Sequence, residues 1–450
     1  MSREIDQHPL VRQYLESVCG KVKAREVHED IKLEMLGHLE ERIEDKLIAG
    51  DISEEEAIAD AIDQMGDPEQ IGKQLHAAHK PRMEWTLLGI CMLLIGIGLV
   101  AMLTVLATGE VSLGDHFLEK KLFFVALGLG AMVCLYFIDY RKIQRYSWHL
   151  YGFTLVLLAA ASSAGKMLNG TKEWIEIGPL NVNVGAASPY LFMVAFAGIL
   201  SMGRATGVGG AKKNLWLLLR DIIVFFLLPT FFYLSTSSLV NYSIYCFGSL
   251  LLLLFVGKKY KLAIVGFGAL LVIALWIVQR SDKYQYVWWR LKGFIYPNAD
   301  SSYQTVRSIE AIQNGGMWGQ GFGAVNERLP FYYGEMLYSY LIYSLGWMFG
   351  FVIGVLAFLF IGRVVGMALK LKDRFAKGII VGIVSVMGVK FLWNLLMCFG
   401  LLPILSIEFP LISWGFLTFI ELAAVGLMLG AYRRKDILVK SANYLSSQKI

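Results

Sequence analysis

The pattern of hydrophobic and polar positions changes at about residue 84. Before it, apolar side chains recur at helical spacing among charged residues, without a long apolar run. After it, long apolar runs alternate with polar connections, and a membrane-spanning helix needs ~20 mostly apolar residues. The pattern predicts ten spans, near 85–107, 122–138, 147–163, 187–203, 215–234, 239–256, 262–279, 336–362, 378–399 and 409–431.

The connections between these runs predict the topology. Short basic clusters fall in alternate connections, and such clusters mark the cytoplasmic side of a membrane protein. Both termini are therefore expected in the cytoplasm, and the first span is expected to insert as its own signal, since no cleavable signal peptide precedes it. The clusters are Arg141, Lys142 and Arg145; Arg204, Lys212 and Lys213; Lys258, Lys259 and Lys261; Arg363, Lys370, Lys372, Arg374 and Lys377; and Arg433, Arg434 and Lys435.

The first 83 residues, the head, carry signals for several short helices. Ser53 followed by Glu56 predicts a capping box at a helix start. Gly66 is expected to end that helix, and Asp67 with Pro68 predicts the start of the next, because proline suits the first helical position. A further amphipathic helix is predicted, with a stripe that is either core or partner face: Ile31, Met35, His38, Leu39 and Ile43.

Through the segment HLEERIEDKLIAGDISEEEAIADAIDQMGDPEQIGKQL, the head resembles the small helical prefix domain found ahead of various bacterial permeases and membrane regulators. That resemblance implies a regulatory or interaction role without catalysis.

Composition agrees with the division into a head and a membrane part. Of the 450 residues, 56% are hydrophobic and 17% charged, and the mean hydropathy is +0.54, which excludes soluble and disordered classes. Residues 1–83 carry a net charge of −8, and the remainder carries +14. The five cysteines are scattered, without a disulfide framework or zinc spacing. We expect an all-α polytopic membrane protein with about ten spans at 84–432, a cytoplasmic helical head at 1–83 and a basic cytoplasmic tail at 433–450.

The connection at 280–335 is the candidate place for chemistry, because long ordered loops are usually functional. In it, Asp300 follows a turn-forming sequence and lies near Arg290 and Lys292. A carboxylate among cations could deprotonate an acceptor hydroxyl while the cations hold a diphosphate leaving group. The alternative is that Asp300 only caps a helix at 301–314.

The sequence GGMWGQGFG, which begins at Gly315 and Gly316, permits tight turns and close approach of backbone to a ligand. A nucleotide-binding interpretation is weak, because no Lys-Ser/Thr pair follows and no strand is predicted before it.

Three segments together resemble the SEDS family, the rod-shape, division and sporulation membrane proteins. NGTKEWIEIGPL at 169–180 is similar to the family signature NG-x-x-x-WI-x-x-GPL, and 393–415 resembles the family segment that ends in LPFISYGG. The large loop and the ten-span count also fit. The matching loop residues are Arg290, Phe294, Pro297, Asp300, Tyr303, Gln304, Ser308, Ala311, Ile312, the glycines at 315–323, Leu329 and Pro330.

The resemblance implies peptidoglycan glycosyltransferase activity, in which lipid II is polymerised at the outer face of the bacterial cytoplasmic membrane. It also implies a class B penicillin-binding protein as partner, membrane lipid as surroundings, and no nucleic acid. Asp300 occupies the position of the family's essential loop aspartate and would act as base or as ligand for a divalent cation; no other cofactor or resident metal is implied. Supporting roles fall to Arg290 and Lys292 for the diphosphate, to Tyr303 and Gln304 for loop shape, and to Gly315 and Gly316 for close approach.

Several family hallmarks are replaced in this chain. Where the family has Gln-Pro-Ser-Glu, residues 183–186 are Asn-Val-Gly-Ala. Where it has Gln-Pro-Asp-Leu-Gly-Thr, residues 236–241 are Thr-Ser-Ser-Leu-Val-Asn, so the family's carboxylates are lost at both places. Glu335 stands in the place of a family aspartate, Lys390 in the place of a glutamine, and Asn394 is retained. Lys390 could bind a substrate phosphate, reach toward the membrane surface or pair with an acid.

These losses leave two other functions open. The first is a scaffold or regulator of a penicillin-binding protein, in which the head transmits a signal. The second, ranked lowest, is translocation of a lipid-linked precursor, since broken spans also suit transport.

Overall fold

The computed structural model describes residues 8–22, 28–49, 53–78, 83–109, 117–168, 170–178, 180–202, 211–268, 270, 294–295 and 303–434. The chain divides into two compact units with a boundary between Met83 and Glu84.

The described helices of the head form a small core of their own. The predicted capping box is confirmed, since the Ser53 hydroxyl and the Glu56 carboxylate each bond the other's backbone N–H, and the helix ends at Gly66. The amphipathic stripe is core, except that the His38 side chain is exposed. The helices are α1 (Pro9–Lys21), α2 (His28–Ala49), α3 (Glu54–Met65) and α4 (Pro68–Ala78).

The second unit is a bundle of apolar helices, as predicted. Eight helices among the described residues are long and apolar enough to cross a membrane. The elements are α5 (Trp85–Ala107), α6 (Phe117–Phe137), α7 (Tyr140–Arg145), α8 (Ser147–Ala164), β1 (Lys166–Leu168), β2 (Thr171–Ile177), β3 (Leu180–Asn183), α9 (Val184–Met202), α10 (Ala211–Ile222), α11 (Leu228–Ser235), α12 (Leu239–Leu252), α13 (Tyr303–Gly315), α14 (Leu337–Leu345), α15 (Trp347–Lys370), α16 (Arg374–Cys398) and α17 (Phe416–Arg433), with π-helical turns at Ile223–Leu227 and Leu253–Gly257.

Two predicted spans differ from the observed helices. The run at 336–362 is broken at Gly346, whose φ of 92° and close contact with the backbone of Met317 exclude a continuous helix. The run at 409–431 becomes helical only at Phe416. The predicted span 147–163 is helical, whereas most of 262–279 lies outside the described residues, so the count of ten stays a prediction.

A small three-stranded antiparallel sheet accompanies the mainly helical fold. It has the order β1-β2-β3 and pairs Trp174 with Asn183 and Ile177 with Leu180. Strand β2 is formed by residues 171–177 of the signature segment, in which β-branched and aromatic residues favour extended backbone. The backbone N–H of Lys172 bonds the carbonyl of Thr236, which ties the sheet to the end of α11.

Helices α9 and α16 cross at the centre of the bundle, where small residues permit close approach. A Cβ at Gly378 would lie 2.8 Å from the Ala197 side chain, and one at Gly382 would lie 2.8 Å from that of Met193. A similarly close contact joins Gly426 of α17 to the backbone of Met132 in α6. These contacts fix α9 against α16 and α6 against α17, and the buried Lys121, Lys390 and Glu421 lie on α6, α16 and α17.

The two ends of the bundle differ in character. One end, the loop end, carries the sheet, the segment 303–346 and the connection 399–415. The opposite end, the basic end, carries the short connections near 140, 258 and 372, where the basic clusters lie.

Candidate functional site

A buried ion pair joins α16 to α17. The Lys390 Nζ lies 3.5 Å from the Glu421 carboxylate, and each side chain is only 3% exposed. Glu421 also accepts hydrogen bonds from the Tyr190 hydroxyl at 3.2 Å and from the backbone N–H of Leu411 at 2.7 Å. Of the three roles considered for Lys390, the structure shows pairing with an acid.

Lys121, on helix α6, also binds the connection 399–415. Its fully buried ammonium, near the start of α6, donates to the carbonyl oxygens of Leu411, Ile412 and Ser413 and to the Thr418 hydroxyl. In a helix these carbonyls would accept bonds from N–H groups four residues later. Here they accept from the lysine, and Leu411 has a φ of 64°, outside the right-handed helical region, so the predicted helical run does not begin at 409.

Asn394 fastens the same connection to the segment before α14. Its Nδ2 donates to the backbone carbonyls of Ile407 at 2.7 Å and Glu335 at 3.1 Å, and its side chain is completely buried. The indole N–H of the adjacent Trp393 donates to the Pro403 carbonyl at 3.1 Å. Asn394 thus acts here on the protein's own backbone.

Glu408 lies within the connection 399–415, near several of the charged groups described above. Burial raises the pKa of its carboxyl to about 7, and the nearby Glu421 and Glu335 act in the same direction. The ammonium groups of Lys390 and Lys121 oppose this rise. Glu408 is therefore a carboxyl that can gain or lose a proton near neutral pH, as a general acid or base must.

A second buried carboxylate lies beside the sheet. Glu173 on β2 accepts a hydrogen bond from the Asn241 amide at 2.9 Å and another from the Ser238 hydroxyl. Burial raises the pKa of Glu173, although these hydrogen bonds act against the rise. A Cβ at Gly185 would lie 2.2 Å from the Glu173 carboxylate, so only glycine fits there. The segment 236–241 lacks the family's aspartate, and the Glu173 carboxylate of β2 lies beside this segment instead.

Helix α13 lies on the loop end and is fixed by Ser308. The Ser308 hydroxyl is fully buried and bonds the Cys398 carbonyl at 2.8 Å and the Ser339 hydroxyl at 2.7 Å. At the first turn, the Tyr303 hydroxyl donates to the Arg328 carbonyl at 3.3 Å, and the side chain is 44% exposed. The helix predicted at 301–314 is therefore present as Tyr303–Gly315, with Gln304 partly exposed in its first turn.

The glycines after α13 pack against the protein's own chain. A Cβ at Gly315 would lie 2.4 Å from the Ile342 carbonyl, and one at Gly319 would lie 2.1 Å from that of Ser344. Gly316 has a φ of 59°, and its carbonyl accepts a bond from the Trp347 N–H at 2.9 Å. These contacts explain why glycines are needed here: they form a tight turn that packs against the corner between α14 and α15.

The structure therefore brings some predicted site residues together. Lys390, Asn394 and Glu335 all lie around the connection 399–415, whereas Tyr303, Gln304, Gly315 and Gly316 lie on and after α13. Asp300, Arg290 and Lys292 lie outside the described residues. Across the described part of the chain, no group of three or more His, Cys, Asp or Glu could hold a metal ion.

Sequence reasoning missed four charged residues of the loop end. Glu421 was visible as a charge within an apolar run, the same signal that marked Lys390, whereas Lys121 directly precedes the predicted span 122–138. Glu173 falls on a variable position of the signature, and Glu408 lies just before a predicted span. Only the fold shows the burial and the partners of Lys121, Glu421 and Glu173, and the charged surroundings of Glu408.

These features define a class of protein: a polytopic helical membrane protein whose loop end is built from buried charges and tightly packed turns. Within this class, the chain belongs to the family of cell cycle proteins that comprises FtsW, RodA and SpoVE, whose family profile matches residues 84–436.

Curated relatives and solved structures are similar over most of the chain. The probable peptidoglycan glycosyltransferase FtsW of Alkalilimnicola ehrlichii is 27% identical over 350 residues, which cover 74% of this chain and 85% of the relative. The stage V sporulation protein E of Bacillus subtilis is 24% identical over 363 residues, covering 76% and 95%. A chain in a structure of a peptidoglycan synthase complex, described as coordinating polymerization and crosslinking, has a TM-score of 0.64 at 21% identity and covers 78% and 98%. The rod shape determining protein RodA of Thermus thermophilus has a TM-score of 0.56 at 18% identity and covers 78% and 97%.

Proposed function

We propose that this protein is a peptidoglycan glycosyltransferase that polymerises lipid II at the outer face of the bacterial cytoplasmic membrane, in wall synthesis linked to shape, division or sporulation. The observation that carries the proposal is family membership across 84–436, with relatives named as probable peptidoglycan glycosyltransferases. In this proposal the loop end faces outward, and the basic end and both termini lie in the cytoplasm, as the positive-inside rule requires.

Asp300 acts as the general base in this proposal, or as a ligand for a divalent cation. It removes the proton from the acceptor hydroxyl, whose oxygen bonds the anomeric carbon as the bond to the lipid diphosphate breaks. Arg290 and Lys292 hold the departing diphosphate by charge. Asp300 precedes α13 by three residues, and the rigid fastening of α13 through Ser308 supports a fixed position for chemistry at that end of the helix.

The loop end also retains carboxylates despite the family positions that are lost. Glu173 supplies one beside 236–241, and Glu408 supplies another with a pKa of about 7. Both support an active enzyme in preference to a decayed one. A class B penicillin-binding protein remains the proposed partner, in line with the similarity to a chain of a peptidoglycan synthase complex.

The second candidate is a scaffold or regulator of such a partner. It is favoured by the internal use of predicted substrate-binding groups, because Lys390 pairs with Glu421 and the Asn394 amide bonds the protein's own carbonyls. A scaffold of this kind needs no catalytic Asp300.

The deciding experiment measures polymerisation of labelled lipid II by the purified full chain, with and without a class B penicillin-binding protein, in divalent cation and in chelator. We expect polymer from wild type, a loss of at least ~100-fold in Asp300→Ala, and activity close to wild type in Glu327→Gln, which removes an exposed carboxylate after α13. Loss of polymer in chelator would assign the cation role. Undiminished polymer from a folded Asp300→Ala variant would refute the catalytic assignment, and no polymer from any folded sample that still binds its partner would favour the scaffold.

A further inference from the structure

An open groove lies on the periphery of the helical bundle at its basic end, at the junction between α7 and α8. Its volume is about 380 Å3, which is within the range of ~300–1,000 Å3 that small-molecule sites occupy. Helix α8 is the predicted span 147–163, and α7 precedes it among the basic clusters. All the residues that line the groove come from these two helices: Lys142, Ile143, Tyr146, His149, Leu150 and Phe153.

The lining residues form one face of the two helices. From Lys142 to Phe153 they recur at three- and four-residue spacing, which places them on one side of a helical backbone. Tyr146 and Phe153 are exposed, and Val156, three residues further along the same face, is also exposed. Polarity therefore falls along this face, from an ammonium at the basic end, through a phenol and an imidazole, to apolar side chains within the predicted span.

The opposite face of the same helices is fixed to the bundle. The buried Tyr140 of α7 donates from its hydroxyl to the carboxylate of Asp373, the residue that caps α16, at 3.1 Å. The buried Ser147 of α8 lies so close to α9 that a Cβ at Gly198 would be 2.7 Å from the Ser147 Cβ. The groove is thus carried by a support that α9 and α16 hold in place.

The end of the groove at Lys142 carries an excess of positive charge. Helix α7 contains the cations Arg141, Lys142 and Arg145, and its capping residue Asp139 is the one acid of this short element. Three cations against one carboxylate leave a net charge of +2. Lys142 is exposed and forms no ion pair with a residue in the described part of the chain. Its ammonium is therefore accessible to an anion from outside the protein.

Charge at one end and apolar surface along the rest match one kind of ligand. A phospholipid has an anionic phosphate at the membrane surface and apolar chains below it, in the same order as along the groove. Lysine binds phosphate as a point charge, and the neighbouring phenol and imidazole can donate hydrogen bonds to its oxygens. Ile143, Leu150 and Phe153 offer apolar surface to the acyl chain. A soluble anion would use Lys142 but none of this apolar surface, which favours a lipid.

We propose that the groove along 142–153 binds an anionic phospholipid, with its headgroup phosphate on Lys142 and one acyl chain along Ile143, Leu150 and Phe153. The site is built from α7 and α8 at the basic end and uses none of the residues considered for lipid II chemistry. Because these two helices are fixed to α9 and α16, a bound lipid stabilises the packing of that part of the bundle.

The test uses the purified full chain in nanodiscs with equal amounts of phosphatidylglycerol and phosphatidylcholine, and native mass spectrometry counts the lipids of each kind that the protein retains. Lys142→Gln removes the charge at the end of the groove. Leu150→Trp fills the groove without a change of charge. The matched control is Lys370→Gln, which removes an exposed lysine of the same basic end outside the groove lining. Thermal unfolding of each variant establishes that it is folded.

We expect wild type to retain phosphatidylglycerol in preference to phosphatidylcholine. Lys142→Gln should lower that preference about fivefold, because each lysine near the membrane surface contributes to the attraction of anionic lipid. Lys370→Gln should leave the preference unchanged. Leu150→Trp should lower the number of retained lipids by one, since the acyl chain loses its place.

Three outcomes would overturn the site. An unchanged preference in Lys142→Gln would exclude the headgroup contact, and an equal loss in Lys370→Gln would show attraction to the whole basic end instead of a groove. A folded Leu150→Trp variant that retains as many lipids as wild type, or that loses a copurified polypeptide in place of a lipid, would exclude phospholipid as the occupant. Lipid II polymerisation is not a readout here, so failure of this site leaves the proposed enzyme function untouched.

Discussion

The head and the membrane unit each contain a Lys–Glu pair, and their surroundings give the two pairs opposite meanings. In the head, Lys21 and Glu69 lie 2.6 Å apart with side chains 42% and 54% exposed. In the membrane unit, Lys390 and Glu421 lie 3.5 Å apart and are each 3% exposed. The shorter pair is the weaker one, because water screens it and solvates either partner alone. Removal of one partner from a buried pair leaves a charge without solvent.

One glycine of each unit shows a similar contrast in the space around it. Gly66 in the head and Gly319 in the membrane unit have similar positive φ values, 89° and 81°. A Cβ at Gly66 would make an ordinary contact of 3.8 Å with Ile71, whereas one at Gly319 would lie 2.1 Å from the Ser344 carbonyl. Gly66 can therefore be substituted at modest cost, whereas neighbouring atoms leave no room for a side chain at Gly319.

The largest expected effect is that of Lys390→Ala. Leaving Glu421 as an unpaired buried charge should destabilise the membrane unit by ~3–5 kcal/mol, whereas Lys21→Ala should cost ~0–1 kcal/mol. Thermal unfolding of the purified chain, with hydrogen exchange to follow α1 and α4 in the head, measures both. The double variant Lys390→Met/Glu421→Gln should recover most of the loss. If Lys390→Ala unfolded like wild type, the contrast between the two pairs would be wrong.

A pH series should change the stability of the two units in opposite directions. The Lys21 hydrogen bond lowers the pKa of Glu69, so its contribution to stability is present above the ordinary pKa and is lost as pH falls. Burial raises the pKa of Glu408 from 4.5 to about 7, so the membrane unit should lose stability as pH rises between these values. Glu408→Gln should therefore gain up to ~3 kcal/mol over wild type at pH 8, and almost nothing at pH 4. An equal effect of this substitution at both pH values would contradict the raised pKa.

Substitution of the matched glycines should have a smaller effect. Gly66→Ala should cost ~1 kcal/mol from backbone strain alone. Gly319→Ala should cost ~2–3 kcal/mol, because overpacking is added to the same strain. Gly316→Ala is the internal control at the loop end, since its φ is 59° and a Cβ there meets no atom within 4 Å. The apparent melting temperature of the chain distinguishes them, and equal costs at 316 and 319 would show that contact with Ser344 is unimportant.

Much of the fold followed from local pattern, and the site did so only in part. The Ser53 capping box, the Gly66 helix end and the helix after Asp300 were predictable because neighbouring residues determine them. The break at Gly346 was not, since it depends on the backbone of Met317 packed across it. Apolarity alone gave no sign that 409–415 stays non-helical.

The charged residues of the site show the same limit. Lys390 could be singled out as a charge in an apolar run, but its partner among several acids could not. Lys121 reaches carbonyls 290 or more residues away in sequence, and Glu173 reaches Asn241 across 68 residues. Periodicity and spacing carry no information at such separations, so these contacts appear only in the folded chain.

The Lys121 contacts can form only late in the synthesis of the protein, because their carbonyl partners are made long after the lysine. A ribosome adds ~5–20 residues per second, so the 290 residues between Lys121 and Leu411 take ~15–60 s to make. During that interval the second span is already made, while the carbonyls that will receive its ammonium do not yet exist. We expect the lysine, three residues from the start of that span, to keep its ammonium at the aqueous surface of the membrane until α17 is made. Helix α17 and the connection before it thus complete the burial of a lysine at the start of α6.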